Sequence, residues 1–142
     1  WTIRKDGAYY LLKSLFEDAR KPGHLFFNIL IVRITETLLY AVSLYTGFNV
    51  PANSRIIIGI KHGGLKDRVL VSSSSRFLSH ERKSTEDEVY TEIDTTIERL
   101  ESELPNQVEA FIKPVFVLFD YFELSRAVLE DIVNKFVEGK VT

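Results

Sequence analysis

Lys61, His62, Lys66 and Arg68 stand close together around a Gly63-Gly64 pair. A glycine-rich turn can present backbone N–H groups to an anion, and flanking Lys and Arg add positive charge. The chemistry this cluster could perform is contact with phosphate or with a nucleic-acid backbone. Such contact is sequence-independent and weakens with salt. The other reading of the same residues is a charged turn solvated by water. The cluster lacks the Gly-x-x-x-x-Gly-Lys-Ser/Thr spacing of a phosphate loop, and a strand rather than a helix is expected to follow it.

Other chemistry finds little to work with. The three histidines, His24, His62 and His80, are widely separated, and there is no cysteine. No His-Glu-x-x-His pair and no calcium-loop pattern occurs, so no metal site is expected. Serines are plentiful in Ser72-Ser73-Ser74-Ser75, but no Gly-x-Ser-x-Gly elbow surrounds any of them. A nucleophile, a base and an orienting group cannot be nominated, so the chain reads as non-enzymatic and without a cofactor.

The elements that must position the basic cluster follow from periodicity. Arg55 to Lys61 and Lys66 to Ser73 read as two strands, with Gly63-Gly64 as a two-residue hairpin turn. In that register Lys61 faces Lys66, a like-charge pair that is destabilising unless something anionic sits beside it. Ile56, Ile58 and Ile60 share one face with Val69 and Val71, while Ile57, Lys61, Lys66, Arg68 and Leu70 share the other. Ser72 to Thr85 reads as a polar connection carrying Arg76, Arg82 and Lys83, further cations available to a polyanion. Val89, Thr91, Ile93, Thr95 and Ile97 alternate as a further strand. Glu98 to Glu103 reads as a short helical turn.

Helices are expected elsewhere. Asp6 caps a first one to Arg20, which Lys21-Pro22-Gly23 ends. Leu25 to Val32 favours a buried strand and Thr35 to Tyr45 a helix, with one continuous helix over 25–46 as the competing reading. Within this region Arg33 and Glu36 are spaced to pair on a helix, in a structural role. Asn106 with Glu109 forms a capping-box pattern, and Pro114 should kink the helix that follows or start a new segment. Ser125 caps a last helix ended by Gly139. Its stripe of Val128, Leu129, Ile132, Val133 and Phe136 reads as core, or as an interface for a second copy or a neighbouring domain. The fold class expected is α+β: an antiparallel sheet built around a central hairpin at about 55–73, with helices on one face.

Size and charge bound the rest. The chain has 142 residues, 45% apolar and 27% charged. That fits a single domain able to bury a core without disulfides. It does not begin with Met, and is expected to be a fragment of a longer polypeptide. The apolar run from Leu25 to Phe48 is interrupted by Asn28, Arg33 and Glu36, so a cytoplasmic chain without a membrane span is expected. Net charge is −2. Residues 55–83 hold seven Lys/Arg against two Asp/Glu, and residues 84–142 five against fourteen. This asymmetry can steer partners, or can neutralise itself within the fold.

Three stretches carry a family resemblance: Trp1 to Tyr10, His62 to Leu70, and Phe136 to Val141. Together they resemble the C-terminal region of bacterial proteins whose N-terminal part is an AlbA-like, schlafen-type nucleic-acid-binding domain. The resemblance implies an accessory domain of a regulator or defence-type protein, covalently linked to that N-terminal domain. It carries over no active-site residue. The leading expectation is therefore an interaction or dimerisation module. Direct nucleic-acid binding through the basic hairpin, and a small-molecule sensor with a pocket between sheet and helices, are the alternatives.

Overall fold

The computed structural model describes residues 1–72, 81–121 and 124–140. Its elements in chain order are β1 (Thr2–Ile3), β2 (Tyr9–Tyr10), a 3-10 turn (Phe16–Ala19), β3 (His24–Phe26), α1 (Phe27–Gly47), β4 (Arg55–His62), β5 (Val69–Val71), β6 (Arg82–Lys83), β7 (Val89–Thr96), α2 (Ile97–Ser102), α3 (Leu104–Val117) and α4 (Arg126–Val137). The class is α+β, as expected.

The sheet is assembled differently from the expected hairpin. β4 does not fold back on β5. It pairs antiparallel with β7 over its whole length, from Arg55 opposite Thr96 to His62 opposite Val89. β5 sits between β3, to which it is parallel, and β6, to which it is antiparallel. The two pairings belong to one bent ribbon. Between them the Leu65 N–H donates to the Asp87 carbonyl at 2.8 Å, and the Ser84 N–H to the Arg68 carbonyl at 3.0 Å. Val69 then faces Lys83 and Leu70 faces Arg82. The register is continuous except for one extra residue, inserted where Gly63-Gly64 lies across from Glu88, which is the arithmetic of a β-bulge.

The physical reasons for this correction are visible in the residues. Gly64 takes φ +69°, which glycine adopts without a Cβ penalty, but uses it to bend the strand rather than reverse it. The β4–β7 pairing sets Ile58 against Ile93, and it separates Lys61 from Lys66. Lys61 instead lies 2.7 Å from the Glu88 carboxylate. At the bend Leu65 turns inward and is fully buried among the core side chains. The reversal of the chain falls between Val71 and Arg82, and most of that segment lies outside the described residues.

Helices cover one face of the β4–β7 half. Ile56, Ile58, Ile60, Val89 and Ile93 pack against the core from α1, α3 and α4. Ile31, Ile34 and Leu38 of α1, Val108, Phe111 and Val115 of α3, and Leu129, Ile132 and Val133 of α4 are buried there. α1 is one helix from Phe27, so most of the strand expected over 25–32 is helical, and only Leu25-Phe26 with His24 is extended. The buried Glu17 carboxylate accepts the Phe26 N–H at 2.8 Å, satisfying a donor at the entrance to α1 that this apolar segment cannot cap itself. By length and composition α1 could cross a membrane, but its apolar stripe is spent on the core. Arg33 and Glu36 pair at 2.9 Å on its exposed side rather than in the interior.

The expected first helix is absent. Residues 2–10 form a small β1–β2 hairpin, with Arg4 N–H on the Ala8 carbonyl and Ala8 N–H on Asp6 Oδ1, and Gly7 at φ +85°. An Asx turn thus takes the residue that could have capped a helix. The hairpin rests on the far end of α1, where Tyr9 meets Tyr40 and the Tyr45 hydroxyl donates to the Gly7 carbonyl. In α3 the helix begins before the Asn106 box, with Pro105 in its first turn, and runs through Pro114 without interruption. α4 starts after Ser125 and ends at Gly139, φ +70°, as the sequence predicts.

Candidate functional site

The basic residues do not gather into one anion site. Arg68 turns inward, leaving 12% of its side chain exposed. It binds Asp18 at 2.5 Å and donates to the carbonyls of Gly64 and His24. It is a clamp that ties the bend to β3. Lys61 is matched by Glu88, and Lys83 by Asp67 at 3.3 Å. His62 lies on the inner face of β4, and burial holds its imidazole below the ordinary histidine value. Lys66 stays exposed near the bend, its N–H facing the Asp87 carboxylate at 3.4 Å. Gly63 and Gly64 supply curvature, not a phosphate cradle. Arg82 lies over the Tyr121 ring and donates to the Asp120 carbonyl. Arg76 lies outside the described residues.

The C-terminal stripe is not a free interface either. Leu129, Ile132 and Val133 are buried in the chain's own core, and Val128 and Phe136 are half-buried at its margin. Packing against α1 and α3 uses the face that a partner would need.

The surface left open is the outer face of the β4–β7 half. It carries Arg55, Ile57, Gly59 and Lys61 from β4, and Tyr90, Glu92, Asp94 and Thr96 from β7. Ile57 is 54% exposed and Tyr90 59%. Arg55 binds Asp94 through its Nε and terminal nitrogen at 2.8 and 2.5 Å, a forked contact that holds the Asp94 carboxyl below its usual range. The Tyr90 hydroxyl donates to Glu92 at 2.6 Å, which raises the phenol above its ordinary value. The Tyr90 ring lies over Gly59, where a Cβ would run into it. Sequence reading named the β4 cations but missed Tyr90, Glu92 and Asp94. The signal was there: acidic positions alternate along 88–94 at the spacing needed to face Arg55 and Lys61.

The edges of this half are also open. Among the described residues β4 pairs only with β7, and β7 only with β4. The Ile97 N–H donates to the Ser54 carbonyl at 3.4 Å, which marks that opposed pair as hydrogen-bonded. Antiparallel pairs alternate between bonded and non-bonded. Ile56, Ile58 and Ile60 therefore bond to β7, while the N–H and C=O groups of Arg55, Ile57, Gly59 and Lys61 point away from it. Beside the start of this edge lies an open groove of about 580 Å³, bounded on its far side by the β1–β2 hairpin.

No group of three or more His, Asp or Glu among the described residues is placed to hold a metal ion. Comparison with protein-family models, curated proteins and solved structures finds no match to this chain.

Proposed function

We propose that this chain is a non-enzymatic protein-interaction module, serving as an accessory part of a larger nucleic-acid-associated protein, and that its contact element is the open half of the bent ribbon. The observation that carries the reading is the eight-residue β4–β7 pair, unpaired on both edges and exposing Ile57 and Tyr90 on its outer face. Long open edges are templates for another chain, and proteins that leave them open commonly use them. The placement of the cations supports this over polyanion binding, because Lys61, Arg68 and Lys83 already have carboxylate partners. It also moves the contact away from the C-terminal helices, whose apolar stripe is occupied.

The test compares the chain with a double variant, Ile57→Lys with Tyr90→Lys, which alters the outer face and leaves the core intact. Mass in solution is measured from micromolar to submillimolar concentration, and both proteins are panned against a displayed library of random peptides. Self-association or selection of a peptide consensus by the wild type, lost in the variant, supports the reading. A wild type that is monomeric throughout and selects nothing overturns it.

A further inference from the structure

The groove beside β4 has a definite chemistry. Its walls carry Arg4, Lys5 and Arg55 against one carboxylate, Asp6. Its apolar surface includes Phe48, 57% exposed, together with Ile3 and Ile57. One side is the free backbone edge of β4, with donors and acceptors directed outward at Arg55 and Ile57. Its volume falls within the usual range of ligand clefts. Backbone groups that repeat at strand spacing, apolar contact and excess positive charge therefore converge in one slot.

We propose that this slot binds an extended peptide segment in which acidic residues alternate with apolar ones, and that the segment joins the sheet as a third strand beside β4. The inference rests on the interaction-module reading and names the partner's chemistry. Main-chain hydrogen bonds to Arg55, Ile57, Gly59 and Lys61 supply the generic attraction, and alternate side chains of the guest supply selectivity. Apolar side chains would lie toward Ile57 and Phe48, and carboxylates toward Arg4, Lys5 and Arg55. A second copy of β4 is a poor occupant. Two antiparallel β4 edges would bring the Arg55 and Lys61 side chains of one copy close to those of the other, and like charges across a sheet are destabilising. β7 presents Glu92 and Asp94 and has the opposite preference.

The edge geometry gives a clean variant. The Ile57 N–H does not bond to β7, so Ile57→Pro removes a docking donor without removing a ladder bond. Glu92→Pro does the same on the β7 edge and serves as the control. The probes are two capped, fluorescently labelled eight-residue peptides, one alternating glutamate with valine and one alternating lysine with valine. Anisotropy titrations at low salt are followed by circular dichroism of each variant to show that the fold is kept.

The expected result is saturable binding of the glutamate–valine peptide to the wild type and to Glu92→Pro, and none to Ile57→Pro. Reversing two rim charges, Arg4→Glu with Lys5→Glu, should weaken it by about tenfold. Equal binding of both peptides, binding unchanged by Ile57→Pro, or no binding of the acidic peptide overturns the proposal. So does self-association abolished by Ile57→Pro, which would identify a second copy as the occupant. The module reading is judged separately, by the outer-face variant and the peptide library. It survives if the library selects a segment that is indifferent to Ile57→Pro.

Discussion

The two halves of the bent ribbon are built from similar residues and end in different states. In the half beyond the bend, β5 is enclosed by β3 and β6, Leu65 and Leu70 are buried, and Arg68 ties the backbone to Asp18 and to two carbonyls. In the other half, β4 and β7 have only each other, and one face is open to solvent. The difference shows what a cation does in each setting. Arg68 is structural because it is enclosed and satisfies buried acceptors. Arg55 and Lys61 are surface pairs, worth little to stability and available to a partner.

The most drastic way to break this contrast is Leu65→Ala. The side chain that anchors the bend is fully buried, and its loss should cost about 2–5 kcal/mol, read as a lower midpoint in urea unfolding. A loss under about 1 kcal/mol would mean that the bend is not anchored in the core. Next comes Arg68→Ala, expected to cost about 2 kcal/mol because it strips partners from part-buried carbonyls. Lys61→Ala should cost less than about 0.5 kcal/mol. Equal effects of the two would erase the distinction between the halves.

A smaller effect is set by pH. Burial holds His62 below its ordinary value of 6.5 in the folded chain. The unfolded chain therefore binds more protons as pH falls through that value, and stability drops on the acid side. Thermal midpoints taken from about pH 7.5 to about pH 5.5 should fall in the wild type and fall less in His62→Phe. Parallel curves would place His62 in solvent. The smallest effect is expected at Gly59→Ala, where the new methyl displaces the exposed Tyr90 ring, for a change of about 0.5 kcal/mol. An effect several times larger would show Tyr90 to be fixed in place rather than able to yield.

Much of the secondary structure was legible in the sequence, and the pairing was not. The alternation of 89–97 gave β7, and Ser125 with Gly139 gave α4, because local periodicity and caps decide those elements. The Gly63-Gly64 pair misled because glycine permits both a reversal and a bend, and only distant residues choose between them. The unfavourable Lys61–Lys66 juxtaposition was the warning: it argued against the hairpin as strongly as for an anionic ligand. The C-terminal stripe could not be assigned to core or interface without knowing that α1 would cover it. The open edge and its groove depend on β1 and β2, which the residues up to Arg20 concealed behind a helical pattern.

Amide hydrogen exchange by NMR, resolved along β4 and β5, tests the central claim most directly. An open β4 edge predicts alternation: slow exchange at Ile56, Ile58 and Ile60, fast at Ile57 and Gly59. In β5, Val69, Leu70 and Val71 should all be protected, since strands lie on both sides and the Val69 N–H is already bonded to the Gly23 carbonyl. Uniform protection along β4 would show its edge to be covered and would contradict the account.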